Sequence, residues 1–504
     1  MNTVRTTAPP RTALAPAMVL LVGLLLALLA AQLILREWGL LTLLGLALLF
    51  CFGLILLRWQ RGYYGLLAYL PFSGAVTLAF YPWEGPPFAH PLLYKDIFFA
   101  LPAYLGFLGA RVLRRTALPD FARAPALCML LFGLLVLLQA IRPAATSPLL
   151  AAIGIKVWLF YMPLYLLTAA LLADLDRLRT LLRICVVFAV VPCLVGLAQY
   201  LLGRIYGHQE VMEAIYGVAA AHVTQEFTVF EVGGGYLAPR IPATFSSVTQ
   251  YFAYTLAMLV PCYILSRSDP ALRWRRMGRW MLALVAVASL LSGARAAFVF
   301  VPLLLVLAYG FDRGFGGLPR ALLVFALVLA LALGILSVPA SSLFAHIWEL
   351  LVTYAEQTAY LDLLQAIERS PFGGGTGTNT GPARHALDDP EAFVAVENYY
   401  AKAVLELGWL GLLLLWWLFA ALMAAAWRAR QRLRSPLLRT TACAVLAFLL
   451  VMALNCFKGW LMDLDPINVY FWVFAGIAGR LAAVSDSEDS PATAATSKTV
   501  PELP

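Results

Sequence analysis

Long, uninterrupted apolar runs make up most of this chain, and they restrict what it can fold into. A helix of about 20 apolar residues spans the hydrocarbon layer of a bilayer. A membrane β-barrel is excluded, because its strands alternate apolar and polar residues whereas these runs are continuous. Since hydrocarbon offers the backbone no hydrogen-bonding partner, each run has to satisfy its own N–H groups, and the runs therefore predict helices.

The predicted fold class is all-α, a polytopic integral membrane helical bundle of about fourteen transmembrane helices with two larger outer (periplasmic) loops. The spans are expected at roughly 17–35, 39–57, 63–81, 92–113, 124–141, 149–172, 180–203, 245–266, 279–293, 296–311, 319–338, 406–427, 439–455 and 466–483. The resulting regions are roughly a cytoplasmic tail at 1–16, an N-terminal bundle at 17–203, a first outer loop at 204–244, central spans at 245–338, a second outer loop at 339–405, C-terminal spans at 406–484 and a disordered cytoplasmic tail at 485–504.

The distribution of charge predicts the orientation. The chain has 36 Lys and Arg against 27 Asp and Glu, a net charge of +9, yet only 12% of its residues are charged. Soluble chains have about 25%. The arginines gather in short loops on one side of the predicted spans, which the positive-inside rule assigns to the cytoplasm. The basic loops contain Arg58 and Arg61, Arg111, Arg114 and Arg115, Arg177, Arg179 and Arg183, Arg273, Arg275, Arg276 and Arg279, and Arg428, Arg430, Arg432 and Arg434.

This pattern explains the basic character of the chain without a nucleic-acid partner. We expect a multi-pass protein of a bacterial inner (plasma) membrane, with both termini in the cytoplasm and the working surface facing the periplasm. The chain has seven cysteines without a CxxC pair, and no DxD, HExxH or Cys/His cluster presents itself as a metal site. Neither a metal site nor a cofactor is therefore expected.

The two outer loops are too long to be simple connectors, and loops of such length are usually functional or disordered. In the second loop, apolar residues repeat at spacings of three and four between Leu343 and Ile367, which predicts amphipathic helices. The pattern ends at Ser370-Pro371 and the glycines that follow, because proline and glycine break helices. The second loop is therefore predicted to be structured.

Two arginines lie where a charge is expensive. Arg240 lies at the outer mouth of a predicted span, and Arg295 is the single charge within 280–310. An arginine at membrane depth costs several kcal/mol unless it is paired or faces a polar cavity, so both are candidate site residues. The alternatives are that Arg240 extends to lipid headgroups and that Arg295 forms a structural salt bridge with an outer acid.

Motifs follow these arginines in a fixed order. Arg240-Ile-Pro-Ala-Thr-Phe-Ser-Ser247 leads into a span, and Ser292-Gly-Ala-Arg-Ala296 ends a later one. The second outer loop closes with Pro371-Phe-Gly-Gly-Gly-Thr-Gly377, Glu397-Asn-Tyr-Tyr400 and Glu406-Leu-Gly-Trp-Leu-Gly411. In order, spacing and side of the membrane, residues 235–415 resemble the O-antigen ligase and polymerase superfamily of membrane glycosyltransferases.

The resemblance implies a glycan donor and acceptor carried on polyisoprenyl diphosphate (such as undecaprenyl diphosphate), membrane lipids around them, and a chain-length regulator and a flippase as partners. Guanidinium groups stay charged and offer forked donors, so Arg240 and Arg295 are expected to bind the diphosphate. Glu397 is expected to act as the general base on the acceptor hydroxyl. The further substrate-binding candidates are Asn398, Tyr400, Arg384, His385, Gly375, Thr376 and Lys458.

One departure from the family bears on the reaction. Ligases of this family typically have histidine where this chain has Glu397, which favours a polysaccharide polymerase over a ligase. His385, next to Arg384, is the alternative base. Each of these residues also has a plain interpretation: Glu397 and His385 as solvated loop residues, and the glycines at 373–377 as a flexible turn.

Two rival functions remain at this point. A ligase would transfer finished polysaccharide to a lipid A core or a protein. A lipid or solute transporter or flippase would also suit fourteen spans, although transporters usually place charged sites near the midplane of the membrane. Sugar identity, linkage, anomeric outcome, oligomeric state and the polysaccharide pathway are left open by the sequence.

Overall fold

The computed structural model of the protein describes residues 49–83, 90–114, 118, 120–142, 147–172, 175–225, 229–231, 237–314, 316, 318–336, 339–381, 394 and 396–484. The predicted span 17–35, most of the span 39–57 and the predicted tails 1–16 and 485–504 lie outside these residues. The same is true of the candidate site residues Arg384 and His385.

The first half of the described chain is almost entirely helical. After a helical stretch at 49–57, its helices are α1 Trp59–Tyr69, α2 Ser73–Ala79, α3 Leu101–Arg114, α4 Arg123–Ala140, α5 Pro148–Leu159, α6 Leu164–Leu171, α7 Leu175–Tyr206, α8 His208–Tyr216 and α9 Val218–Gln225. Short 3-10 turns at Leu70–Phe72 and Pro91–Leu93 and a π-helical turn at Asp96–Ala100 connect some of them. Two strands of three residues, β1 Val229–Glu231 and β2 Leu237–Pro239, then pair antiparallel and lead directly to Arg240.

The second half continues with α10 Val248–Ser268, α11 Leu272–Leu291, α12 Ala297–Arg313, α13 Leu318–Leu336, α14 Ala340–Thr353, α15 Asp362–Arg369, α16 Tyr399–Arg432, α17 Pro436–Asn455 and α18 Ile467–Leu481. A π-helical segment at Tyr354–Leu361 joins α14 to α15, and a 3-10 turn at Leu461–Asp463 precedes α18. The segment predicted to be the second outer loop therefore contains helices, as its apolar spacing predicts.

Seven helical segments in the described part of the chain are long and apolar enough to cross a membrane. They are Pro91–Leu113, Arg123–Ala140, Pro148–Leu171, Asp176–Tyr206, Val248–Ser268, Tyr399–Arg432 and Pro436–Asn455. The prediction of a helical membrane protein is confirmed at this level, whereas the count of about fourteen spans stays a prediction.

The predicted span at 63–81 is interrupted. α1 ends before Pro71, and α2 begins after a short 3-10 turn, because proline lacks the N–H that a continuous helix needs. The interruption lets Gly74 lie against the backbone of the segment that carries Arg240, where a β-carbon at Gly74 would come within 2.2 Å of the Ser246 nitrogen. Ala75 N donates to Thr244 O over 2.8 Å, which fixes the two segments to each other.

The span predicted to begin at 406 starts earlier, at Tyr399. Asn398 caps this helix, since its side-chain oxygen accepts hydrogen bonds from Tyr400 N and Ala401 N over 2.8 and 3.2 Å. The boundary was wrong because Lys402 and Glu406 make the first turns polar, which is typical of a loop. Both side chains are fully buried in the structure.

The centre of the bundle is formed by α10, α17 and α18. α10 is almost completely enclosed and packs on α11 and α17, while α12 and α16 also pack on α17. Four segments meet at one end of this bundle, namely the turn after α11, the start of α12, the start of α16 and the end of α17. The candidate site lies there.

Candidate functional site

The segments that carry Arg240 and Arg295 are held together by their backbones. Ile241 N donates to Ser292 O over 2.8 Å, so the strand that ends at Pro239 runs into the turn after α11. Gly293 allows this close approach, because it adopts φ +76° and because a β-carbon there would come within 2.3 Å of Pro239 O. The two arginines, which are far apart in the sequence, thereby reach one site.

Arg240 and Arg295 repel each other in this arrangement. Burial lowers the pKa of Arg240, and the positive charge of Arg295 lowers it further. Arg240 is half-buried, whereas Arg295 is exposed at the surface of the turn. Two guanidinium groups held close together by the backbone favour an anion between or beside them, because the anion relieves their repulsion.

Glu397 belongs to the same cluster through Tyr354, the first residue of the π-helical segment. Burial raises the pKa of Tyr354, and the negative charge of Glu397 and a hydrogen bond to its side chain raise it further. Arg240 and Arg295 act on Tyr354 in the opposite direction. The Glu397 carboxylate is exposed, and its backbone N–H donates to Asp362 Oδ2 over 3.3 Å. A carboxylate open to solvent therefore shares Tyr354 as a neighbour with the two arginines.

Lys458, in the turn after α17, completes the cluster. Its Nζ lies 4.6 Å from the centre of the Tyr354 ring, which is a cation–π contact. Burial lowers the pKa of Lys458, while the Glu397 charge raises it and the charges of Arg295 and Arg240 lower it. Three cations thus surround one carboxylate and one phenol, and the cluster has a positive excess.

An apolar cavity of about 290 Å³ opens beside these charges. Arg295, Tyr354 and Lys458 form its polar end, and side chains of α12, α14 and α17, among them Phe300, Leu350 and Leu454, form the rest. Ligand pockets in proteins have volumes of about 300–1,000 Å³, so this cavity fits a small ligand or one part of a larger one. Its chemistry, charged at one end and apolar along its walls, suits an amphipathic anion.

Asn398 and Tyr400, expected to contact sugars, point into the protein. Asn398 is fully buried, and its Nδ2 donates to Thr358 O over 2.9 Å, which ties the start of α16 to the π-helical segment. The Tyr400 side chain is buried, and its hydroxyl donates to Ala453 O over 2.8 Å. The structure therefore gives both residues positioning contacts within the bundle and leaves Glu397 as the exposed member of that motif.

Gly375 and Thr376 also lie away from the cluster. Thr376 is fully buried and its hydroxyl donates to Val136 O over 2.7 Å, while Gly375 N donates to Glu406 O over 3.1 Å. The glycine turn is thus packed against α16. Gly373, Gly375 and Gly377 all have positive φ, which glycine adopts without strain.

Glu406 connects the glycine turn to α16. Its carboxylate accepts hydrogen bonds from Gly377 N over 3.0 Å, Asn379 N over 3.1 Å and Trp158 Nε1 over 2.7 Å. The helix changes direction at Gly408, whose φ is +76°, and Trp409 N there donates to Pro371 O over 3.0 Å. The glycine-containing motifs at 371–377 and 406–411 therefore contact each other in the structure.

Two buried lysines hold the turn at 456–466, which carries Lys458. Lys402, fully buried, forms a salt bridge with Asp463 and lies 4.4 Å from the centre of the Trp158 ring. Lys95 is also buried and pairs with Asp465 over 2.7 Å. Buried ion pairs of this kind fix a geometry strongly, because separating the two charges leaves each without a partner in a medium of low polarity.

Tyr354 and Lys402 are a site residue and a supporting residue that the sequence analysis missed. Tyr354 falls within an amphipathic pattern, where it is indistinguishable from a packing residue. Lys402 and Asp463 are separated by 61 positions, so only the fold brings them together. Within the described residues, no group of three or more His, Cys, Asp or Glu side chains is arranged to hold a metal ion.

Comparison with known proteins gives no family assignment. No protein-family model matches the chain, and no curated protein is significantly similar to it. The function therefore has to be argued from the chemistry of the site.

Proposed function

We propose that this protein is a polysaccharide polymerase, a metal-independent glycosyltransferase that transfers a polyisoprenyl-diphosphate-linked glycan onto the next lipid-linked repeat unit at the outer leaflet. The observation that carries the proposal is the cluster of Arg240, Arg295, Lys458 and Glu397, of which Arg295 and Lys458 also line the polar end of an apolar cavity between helices. This combination matches the three parts of such a donor, which are a lipid tail, a diphosphate and a sugar.

In the proposed reaction the cations bind the diphosphate of the donor. Arginine forms paired hydrogen bonds with phosphate oxygens, and Lys458 adds a third positive charge. The bond between the anomeric carbon and the diphosphate oxygen breaks, and its electron pair goes to the diphosphate. The cations stabilise this developing charge. Such stabilisation by fixed charges is usually the largest single contribution to catalysis.

Glu397 is proposed to act on the acceptor. Its carboxylate takes the proton from the acceptor hydroxyl as the hydroxyl oxygen forms the new bond to the anomeric carbon. The exposure of Glu397 suits this role, since the acceptor has to reach it from outside. The hydrogen bond from Tyr354 holds the carboxylate, and the contact of its backbone N–H with Asp362 fixes the chain at this residue.

The apolar cavity is proposed to receive the part of the lipid tail nearest the diphosphate. Its volume of about 290 Å³ is at the small end of the range for ligand pockets, so the remainder of a long isoprenoid would lie in the surrounding lipid. The resemblance of residues 235–415 to the O-antigen ligase and polymerase superfamily supports the same substrate class.

The alternative within the same class is a ligase that transfers the glycan to a lipid A core or a protein. A transporter or flippase is the alternative of another class, favoured by the charged side chains buried inside the bundle, Lys95 and Asp96 among them. These charges are paired with one another and with Lys156 and Asp465, so they fit a structural role as well.

The test is a gel assay with purified protein and polyisoprenyl-diphosphate-linked repeat units. We expect a ladder of lengthened glycans that Arg295→Ala and Glu397→Gln abolish. Arg279→Ala is the matched control, because Arg279 is exposed on α11, away from the turn that carries Arg295, and should leave the ladder intact. Transfer to an added core acceptor without a ladder would indicate a ligase, and lipid crossing liposomes without either product would contradict the enzyme.

A further inference from the structure

A second charged cavity lies at the opposite end of α16 from the candidate site. It has a volume of about 500 Å³ and is formed where α16 turns into α17. At about 1.5 Å per residue, the 34 residues of α16 carry the chain across the bundle. We call it the arginine cavity, and its lining residues are Arg430, Gln431, Arg432, Leu433, Arg434 and Arg439.

The arginine cavity has a fixed side and an open side. Arg430 Nε donates to Phe311 O over 2.8 Å, and its guanidinium lies 4.6 Å from the centre of the Trp427 ring, so its plane is held by two contacts. Leu433 is buried beneath it, whereas Arg432 and Arg439 are exposed. The cavity therefore combines one anchored guanidinium, that of Arg430, with the exposed side chains of Arg432 and Arg439.

The charge of the arginine cavity is one-sided. Four arginines line it, and its lining residues, all within the described part of the chain, include no carboxylate. The neighbouring acid Asp312 contacts other groups, namely Arg267 Nε at 3.7 Å, Arg313 Nε at 3.8 Å and the Thr440 hydroxyl at 3.2 Å. Such a concentration of guanidinium groups suits an oxyanion, and phosphate above all.

An exposed apolar stripe on α16 leads to this cavity. Leu413, Trp416, Trp417 and Trp427 are all exposed. Trp416 and Trp417 follow Leu413 by three and four positions and Trp427 follows Trp416 by three helical turns, so the four side chains share one side of the helix. Trp427, next to Arg430, has the position of an interfacial tryptophan, with apolar residues on one side and charges on the other. A phospholipid bound here would place its acyl chains against the apolar stripe and its headgroup phosphate next to the arginines.

We propose that the arginine cavity binds the headgroup phosphate of an anionic phospholipid, whose acyl chains lie along the stripe from Leu413 to Trp427. Basic cavities between transmembrane helices are suited to anionic headgroups. The other arginine-rich segment at 273–279 is spread along the exposed surface of α11. The segment at 273–279 also has four arginines, so it has the same general attraction to anionic membranes as the arginine cavity and serves as its control.

The test measures lipid binding to the purified full chain by native mass spectrometry, with phosphatidylglycerol and with phosphatidylcholine as probes. We expect the natural protein to retain phosphatidylglycerol. The double variant Arg432→Gln/Arg439→Gln should bind this lipid about thirtyfold more weakly. The matched control is Arg273→Gln/Arg276→Gln, which removes the same charge from α11 and should retain the lipid. Thermal unfolding of each variant checks that the fold is intact.

The remaining outcomes separate the sources of phosphate. Stabilisation by inorganic phosphate alone, lost in Arg432→Gln/Arg439→Gln, would support the anion site and replace the lipid by a soluble ligand. Equal loss of phosphatidylglycerol in both double variants would overturn the proposal, because it would show a diffuse attraction. Equal retention of phosphatidylcholine and phosphatidylglycerol would overturn it as well, because the arginines would then have no influence.

Discussion

Gly293 lies directly against the backbone of Arg240, with room for a hydrogen atom and not for a methyl group. A β-carbon at Gly293 would be 3.0 Å from the Arg240 Cα and 2.3 Å from the Pro239 carbonyl oxygen. Both neighbours are backbone atoms, which cannot move aside as a flexible side chain would. The distance between Arg240 and Arg295 therefore depends on a residue without a side chain.

We expect Gly293→Ala to weaken donor binding and to destabilise the fold by about 1–3 kcal/mol, since it combines a strained φ with a backbone collision. The measurement is the KM for the lipid-linked donor together with thermal unfolding. Gly109→Ala is the control, because a β-carbon at Gly109 meets nothing within 4 Å. Unchanged donor binding in Gly293→Ala would show that the spacing of the arginines is unimportant.

Tyr354→Phe removes the hydroxyl that bonds to Glu397 and keeps the ring that contacts Lys458. We expect kcat to fall about tenfold with little change in the KM of the donor, as one hydrogen bond that orients the base is lost. Steady-state kinetics separate the two constants. Tyr360→Phe, at an exposed tyrosine of the same π-helical segment, should have no effect, and a tenfold rise in KM in Tyr354→Phe would contradict an orienting role.

The lowered pKa of Lys458 predicts opposite effects of pH on binding and on stability. As pH rises through this lowered pKa, Lys458 loses its charge and the donor diphosphate should bind more weakly. Between the lowered pKa and the ordinary value of 10.5, the unfolded chain binds more protons than the folded one, so the contribution of Lys458 to the free energy of unfolding rises with pH.

Lys458→Arg tests this account, because arginine keeps its charge over the same range. Donor KM measured from neutral to alkaline pH should rise in the natural protein and stay flatter in Lys458→Arg. If both proteins show the same alkaline rise, Lys458 does not contribute its charge to donor binding.

Lys402→Met should destabilise the protein by about 3–5 kcal/mol, because Asp463 and Glu406 would be left buried without their cation. The double variant Lys402→Met/Asp463→Leu should recover part of this loss, since it removes one of the two carboxylates. Thermal unfolding of both variants is the measurement. A double variant less stable than Lys402→Met would contradict the interpretation that the unpaired charge causes the damage.

The sequence made several features of the site predictable for a physical reason. Arg240 and Arg295 are charges in apolar surroundings, and such positions are rare unless a fold needs them. Glu397 was predicted from the order of motifs around it, and Lys458 was among the further substrate-binding candidates. These four residues come from separate segments, and the fold brings them to one end of the bundle.

Other features depended on tertiary structure and could not be predicted. The side chain of Asn398 is polar enough for a substrate contact, yet it caps α16 and anchors the π-helical segment. Thr376 follows three glycines in a typical loop sequence, yet its hydroxyl is buried against α4. In both cases, local composition indicates an exposed loop, and the hydrogen-bonding partner lies elsewhere in the chain.

Two buried ion pairs, Lys402 with Asp463 and Lys95 with Asp465, determine when the candidate site can form during synthesis. The turn at 456–466 carries Lys458 together with both aspartates, and it is the last part of the cluster to leave the ribosome. A nascent chain that already contains Arg240, Arg295 and Glu397 still lacks the aspartates that pair with Lys402 and Lys95. The candidate site therefore forms only after the turn at 456–466 has been made, and we expect a chain truncated before residue 456 to lack the cluster.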